Sequence, residues 1–202
     1  MMSHDTGRAV SALRNFARRP EPESRCDLCN APVAESHAHL YEPEPRRIAC
    51  ACIACSFLFP EGTAGRYRSL HSRATRAAGV ELVEDDFRAL EIPVRLAFLA
   101  PSDVHARVFA TYPTSHGATE SVVPRAAWDA LAERTALSVA PDAEGLLIDY
   151  LGGRTRCFVA SLDVCYRFVG LLRAGGAARG TAFASAMRFL DGLGGLDGGG
   201  HG

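Results

Sequence analysis

Five of the seven cysteines lie within the first 55 residues, in a pattern that is typical of metal binding. Cys26 and Cys29 form one Cys-x-x-Cys pair, Cys52 and Cys55 form a second, and 22 residues separate the two pairs. This spacing is typical of a zinc ribbon, in which each of two knuckles supplies two thiolates to one tetrahedral ion. Because the segment is too short to bury a core of its own, the metal would supply folding free energy. The sequence therefore predicts a structural Zn²⁺ site at these four cysteines.

Three further side chains could change this ligand set. Cys50 lies two residues before Cys52, which would place both on one face of a strand, and His37 and His39 lie between the two pairs. Each of the three could replace one of the four thiolates. Alternatively the thiolates could hold an iron–sulfur cluster, since four cysteines do not by themselves distinguish zinc from iron. Cys50 could also be a small buried side chain behind the knuckle.

Composition limits the remaining classes of protein. The chain has 202 residues, of which 48% are hydrophobic, enough for one domain with a small satellite. Its 22 basic residues are all arginine and are balanced by 23 acidic ones, so a global field that attracts nucleic acid is not expected. The absence of lysine excludes Schiff-base and P-loop chemistry. No apolar run approaches the ~18 residues of a membrane span, and arginines interrupt the N-terminus, so we expect a cytoplasmic protein with reduced thiols.

The chain divides into five predicted segments, one of which holds the two cysteine pairs. Residues 1–23 read as an amphipathic helix that ends before a Pro/Glu linker, and 24–60 as the zinc-ribbon-like module. Residues 61–79 read as a connector, and the four arginines from Arg66 to Arg76 could form a nucleic-acid patch. Residues 80–191 are predicted to form an α+β domain, and 192–202 a disordered glycine-rich tail.

Within the α+β domain, alternation of apolar residues predicts antiparallel hairpins and 3.6-residue periodicity predicts helices that pack on them. The predicted elements are a hairpin of 94–98 and 104–111 with its turn at 101–103, a helix over 124–135, a hairpin of 146–151 and 154–159, a buried helix from 161 to 173, and a helix over 181–191.

The second hairpin has the most specific local signal. Gly152-Gly153 accepts the positive φ of a two-residue loop, so the numbers of paired residues should sum to 305. Asp149 would then face Arg156 across the strands, as an ion pair, and Ile148 would face Cys157. We expect Ile148 and Cys157 to pack against the helix that begins after Ser161.

For the other candidate residues, the surrounding sequence indicates a structural role. Cys157 and Cys165 lie in a predicted strand and a predicted buried helix, which indicates core packing. The segment 111–121 gathers hydroxyls, His116 and Glu120, and could be a binding loop, but a connector into the following helix is favoured because no nucleophile–base set can be assembled. No common catalytic motif is present, so the sequence favours a protein that is not an enzyme.

The order of the motifs resembles an uncharacterised bacterial family whose members are encoded beside [NiFe]-hydrogenase genes. The resemblance covers about 24–191 and rests on CDLC, an HxH segment, CACIAC followed by LF, YP…GATES, a Trp-bearing helix, PDAEGLLID and DVCYRFVGLLR. It carries over only the cysteines, namely Cys26, Cys29, Cys50, Cys52 and Cys55. Where the family pattern has a Trp-Gly-type motif, this chain has Ala174-Gly175-Gly176-Ala177. The resemblance implies a protein partner, namely a [NiFe] hydrogenase or its maturation machinery.

Three functions follow as hypotheses. The first is a non-catalytic accessory protein whose zinc-folded module docks onto a protein partner. The second is an iron–sulfur or thiol redox or metal-handling protein that uses Cys50. The third is a zinc-ribbon nucleic-acid binder, which the balanced charge does not favour.

Overall fold

The fold was analysed in a computed structural model, which describes residues 24–59, 65–114, 117–150, 155–173 and 179–194. The predicted N-terminal helix lies outside these residues, as do Gly152-Gly153, His116 and the chain after 194. The elements in chain order are β1 (Ala38–Glu42), β2 (Arg47–Ala51), α1 (Ile53–Ser56), β3 (Arg68–Leu70), β4 (Ala74–Arg76), α2 (Glu84–Ala89), β5 (Leu96–Ser102), β6 (Arg107–Thr114), β7 (Gly117–Val123), α3 (Arg125–Thr135), β8 (Glu144–Asp149), β9 (Arg156–Ser161), α4 (Leu162–Arg173) and α5 (Arg179–Gly194).

The larger sheet has six antiparallel strands in the order β4-β9-β8-β5-β6-β7 and is covered by helices on both faces. Phe168 of α4 and Leu190 of α5 belong to the core on one face, and Trp128 of α3 and Phe87 of α2 belong to the core on the other. Every residue of β5 is buried, because this strand lies inside the sheet between the two cores. The α+β prediction is confirmed.

The β8–β9 hairpin has the predicted register. Asp149 pairs with Arg156 and Ile148 pairs with Cys157. The prediction that Ile148 and Cys157 pack against α4 is wrong, because both residues belong to the core on the α2/α3 face. The Asp149–Arg156 pair lies on the α4/α5 side, where Arg156 also reaches Asp191 of α5. Strand alternation fixed which residues share a face, but the face that each helix covers depends on the path of the chain outside the hairpin.

The smaller sheet, in the order β2-β1-β3, connects the cysteine-rich segment to the main body. Leu40, Ala49 and Ala51 form a small apolar cluster on one of its faces. Tyr41 and Leu70 instead belong to the large core that contains α4. The segment predicted as a connector supplies a strand to each sheet, since β3 pairs with β1 and β4 pairs with β9.

The first hairpin forms, but its turn lies later than predicted. Strand β5 continues through Ser102, which pairs with Arg107, so the turn occupies 103–106. The Asp142 carboxylate accepts the backbone N–H groups of Asp103 and Val104 and so holds the first half of this turn. Ala106 has a φ of 51°, in the left-handed region, and closes it.

Two further predictions need correction. Residues 111–121 are not a connector: Thr111 pairs with Glu120 and Thr114 with Gly117, so most of this segment lies in the β6–β7 hairpin. The last helix runs from Arg179 to Gly194, beyond the predicted end at 191, and buries Leu193 in the core. The predicted helices at 124–135 and 161–173 correspond to α3 and α4.

Gly145 permits a close approach between β8 and α4. A Cβ atom at this position would lie 3.1 Å from the Leu99 carbonyl oxygen and 3.2 Å from the Cys165 Sγ. The Leu99 carbonyl belongs to the neighbouring strand β5 and cannot move away without disturbing the sheet. Glycine is therefore required here by space and not by a left-handed φ.

Candidate metal centre

The first cysteine pair lies in a tight turn before β1. The backbone N–H of Asn30 donates to the Cys26 carbonyl, and the N–H of Cys26 donates to the Ala31 carbonyl. Asn30 has a φ of 61°, which asparagine tolerates better than most residues. The N–H of Asp27 donates to the Cys50 carbonyl at 2.8 Å, which fixes the turn against the end of β2. These bonds hold Cys26 and Cys29 over the second pair.

The second pair lies where β2 passes into α1. Cys52 has extended backbone angles (φ −73°, ψ 161°) and precedes the first helical residue, Ile53. The N–H of Ser56 donates to the Cys52 carbonyl, and the N–H of Leu58 donates to the Cys55 carbonyl. A strand end followed by one helical turn therefore brings Cys52 and Cys55 to the same side.

The four sulfur atoms of Cys26, Cys29, Cys52 and Cys55 all lie within 4.8 Å of one another. The Cys29 and Cys52 Sγ atoms are 3.7 Å apart. With Zn–S bonds of about 2.3 Å, the edge of a tetrahedral four-thiolate site is about 3.8 Å. The cluster could hold one metal ion, and its donor set fits a thiophilic one.

The protonation of the cluster also fits a cation site. Burial opposes ionisation of Cys26, but N–H groups of Cys52, Cys29 and Leu28 outweigh it and lower the Cys26 pKa to about 6. Hydrogen bonds with the Cys29 and Cys52 side chains raise the pKa of Cys55 to about 12. One thiolate therefore opposes the formation of the next, and a bound cation would remove that opposition.

The side chains predicted as alternative ligands form a group of their own. His37, His39 and Cys50 offer ligand atoms within 4.8 Å of one another, and this group does not include any of the four other cysteines. The structure thus separates the seven candidate ligands into a group of four and a group of three.

The sequence pattern did not predict a role for two carboxylates that lie near these clusters. Asp163, at the start of α4, has its Oδ2 atom 3.3 Å from the His39 Nδ1 atom, although the two residues are 124 positions apart. Asp27, between the first two cysteines, accepts the Cys50 backbone N–H at 2.6 Å. A polar residue in the first turn of a buried helix was the available hint for Asp163, but a helix cap explains that position equally well.

The two remaining cysteines lie in the core, as predicted. Cys157 and Cys165 are buried, on opposite faces of the large sheet. Burial raises the pKa of Cys157 to about 12 and that of Cys165 further. Neither thiol is suited to act as a nucleophile or ligand at neutral pH.

Most arginines in the segment that was predicted to be a connector form ion pairs with acidic residues. Arg66 contacts Glu42 at 2.6 Å, Arg73 contacts Glu144 at 2.9 Å, and Arg68 lies 3.5 Å from the buried Asp142 carboxylate. This pairing of three of the four arginines weakens the case for a nucleic-acid patch. Within the parts of the chain that the structure describes, no helix combines the length and apolar character needed to cross a membrane.

Comparison with known proteins gives a family but no characterised relative. No curated protein and no solved structure matches the chain. A family model covers residues 25–191, close to the range 24–191 over which the sequence resembles an uncharacterised family. The cysteine clusters and nearly all of the described fold lie within this range. The chain therefore belongs to the family of unknown function DUF5947.

Proposed function

We propose that this protein is a non-catalytic accessory protein, in which a structural Zn²⁺ ion bound by Cys26, Cys29, Cys52 and Cys55 folds a docking surface for a protein partner. The observation that carries the proposal is an apolar patch on the metal-binding segment itself. Ile53, Phe57 and Leu58 are 72%, 80% and 69% exposed. We call these three side chains the knuckle patch.

The knuckle patch is unusual for this molecule. None of the residues of α1 is fully buried, and of this helical turn only Cys55 packs against the small apolar cluster. The other large exposed apolar residues of the described chain are smaller and far apart in sequence, with Val83 before α2, Val104 in the β5–β6 turn and Val122 on β7. Contiguous exposed apolar side chains mark interaction sites more often than isolated ones do.

A metal ion would make this patch rigid. The buried apolar residues of the adjacent cluster are Leu40, Ala49 and Ala51, which bury little surface. A core this small supplies little folding free energy, whereas a structural Zn²⁺ site contributes strongly. The patch begins one residue after Cys52, so a metal ion that fixes the Cys52 backbone would also fix the position of the patch.

Zinc is favoured over an iron–sulfur cluster because the four thiolates converge on a point suited to one ion, as in a closed zinc-ribbon site. Reduced thiols of this kind fit a cytoplasmic protein. The purified protein should be colourless in air and contain zinc, and Co²⁺ substitution should give the absorption of a four-thiolate site. Iron with broad visible absorption would contradict the assignment. Cys26→Ser/Cys29→Ser should abolish the four-thiolate signal, while Cys157→Ser, which removes a core thiol, should retain it.

The partner we infer is a [NiFe] hydrogenase or one of its maturation proteins, and this part rests on the family resemblance in the sequence. The test measures binding of these purified proteins to the full chain by calorimetry. Phe57→Ser/Leu58→Ser should weaken binding at least about 10-fold, since buried aromatic anchors dominate interfaces. Val122→Ser, which removes an exposed apolar side chain on β7, should leave binding unchanged.

Equal binding by all three chains would contradict the knuckle patch as the docking surface. Absence of binding between the wild-type chain and every hydrogenase protein would contradict the partner assignment. Retention of binding after the four-cysteine site is disrupted would contradict the role of the metal.

A further inference from the structure

His37, His39 and Cys50 are brought together by the register of the smaller sheet. His39 lies in β1 and His37 lies immediately before this strand, two residues away. His39 pairs directly with Cys50 on β2, which places the thiol on the same face as the His39 side chain. The His37 and His39 ring centroids are 4.8 Å apart with the planes inclined at 67°. Tyr41 lies on the same face of β1 as His39 and packs into the large core. The group of His37, His39 and Cys50 therefore lies on the side of the smaller sheet that faces the main body of the protein.

We propose that His37, His39 and Cys50 form a second metal site, separate from the four-cysteine site, that binds a divalent transition metal ion and leaves one coordination position open. The proposal does not depend on the docking function proposed above.

The hydrogen bonds of both imidazoles support a ligand role. The His37 Nδ1 atom lies 2.7 Å from the Ala34 carbonyl oxygen, to which it can only donate, so the Nε2 atom of the neutral ring is left as an acceptor. That Nε2 atom is buried and has no hydrogen-bond partner within the described structure. A buried acceptor without a partner is costly unless a proton or a cation satisfies it. A metal ion bound by the other members of the group would do so.

His39 shows the corresponding arrangement with a carboxylate. Its Nδ1 atom lies 3.3 Å from the Asp163 Oδ2 atom, which also accepts a short hydrogen bond from the Ser72 hydroxyl. Metal-binding histidines usually donate their second ring N–H to a carboxylate or a carbonyl, which fixes the ring and strengthens the ligand. In this group, the Asp163 carboxylate is the acceptor for His39 and the Ala34 carbonyl is the acceptor for His37. Asp163 acts here as a positioning residue.

The donor set restricts the metal. Two imidazoles and one thiolate suit Zn²⁺, Co²⁺ or copper and do not suit Mg²⁺ or Ca²⁺, which require oxygen ligands. A thiolate and an adjacent Asp163 carboxylate would together balance a divalent charge. Three protein ligands differ from the closed four-thiolate site, because they leave a position for water or another exchangeable ligand. His39 is partly exposed, so that position can be reached from solvent.

The test titrates the metal-free, fully reduced chain with Co²⁺ in the absence of air. The wild-type chain should bind two equivalents and give two absorption spectra, one of a four-thiolate site and one with a single thiolate. His37→Ala/His39→Ala should bind one equivalent and retain the four-thiolate spectrum. Cys26→Ser/Cys29→Ser should retain the other. His105→Gln is the matched control, since it removes an imidazole that instead contacts the Pro43 carbonyl, and it should bind two equivalents.

Two further measurements guard against a variant that fails to fold. Metal addition to the wild-type chain should shift the imidazole NMR signals of His37 and His39 and leave those of His105 in place. Asp163→Asn should keep both equivalents but weaken the second about 10- to 100-fold, as expected of a positioning residue. Binding by the wild-type chain of a single equivalent that has only the four-thiolate spectrum, or of two equivalents by His37→Ala/His39→Ala, would overturn the proposal.

Discussion

Replacing Arg156 by methionine should destabilise the protein by about 3 kcal/mol, because it leaves a buried carboxylate without its cation. The Asp149 side chain is only 3% exposed, whereas that of Arg156 is 31% exposed. The Arg156 Nε and Nη2 atoms lie 2.8 and 2.5 Å from the Asp149 Oδ2 atom. Breaking a fully buried pair from one side costs about 3–5 kcal/mol, and the partial exposure of Arg156 places the cost at the lower end.

A double-mutant cycle separates this penalty from lost packing. Asp149→Asn removes the charge that pairs with Arg156, so the double variant should be less destabilised than the sum of the two single variants. We expect a coupling free energy of about 1–3 kcal/mol, as for residues in direct contact. Asp191 contacts the same guanidinium but is 63% exposed. Asp191→Asn should therefore cost at most about 1 kcal/mol.

The assay is equilibrium urea unfolding of the metal-loaded chains, monitored by circular dichroism, with unchanged m-values as the check on two-state behaviour. Additive costs of the two single variants would contradict this prediction, and so would a smaller cost for Arg156→Met than for Asp191→Asn. Either result would mean that the Asp149 carboxylate is satisfied by other groups in the folded protein.

Three other predictions concern packing, metal and thiols. Gly145→Ala should destabilise by about 1–3 kcal/mol through overpacking, measured by urea unfolding. The matched Gly170→Ala, where an added Cβ meets nothing within 4 Å on helix α4, should be neutral or stabilise by up to about 1 kcal/mol; equal effects would contradict the packing account. Removing metal with a strong chelator should lower hydrogen-exchange protection in the smaller sheet and also lower the unfolding midpoint of the whole chain, because Tyr41 belongs to the large core. An unchanged midpoint would show that the two parts unfold independently. Cys157 and Cys165 should resist thiol reagents in the native chain at neutral pH, since burial raises the pKa of both thiols. Rapid labelling of either one by mass spectrometry would contradict their burial.

Features that depend on local information could be predicted from the amino-acid sequence. The prediction of a two-residue loop at Gly152-Gly153 gives the numbering of every pair across the hairpin, and Asp149 pairs with Arg156 as predicted. Periodicity identified α3 and α4, because an apolar stripe repeats every 3.6 residues whatever it packs against. The spacing of the two Cys-x-x-Cys pairs indicated a metal cluster for a similar reason, since each pair folds into a turn of fixed size.

Features that depend on residues distant in the chain became evident in the folded structure. Strands β3 and β4 are three residues each and are defined by partners, β1 and β9, that no local pattern identifies. The face on which Ile148 and Cys157 pack depends on where α2 and α3 return to the sheet. The sequence placed His37, His39 and Cys50 as alternatives for one site, because their separation into a second group requires the pairing of β1 with β2. Asp163 approaches His39 across 124 positions, a contact that chain folding alone creates.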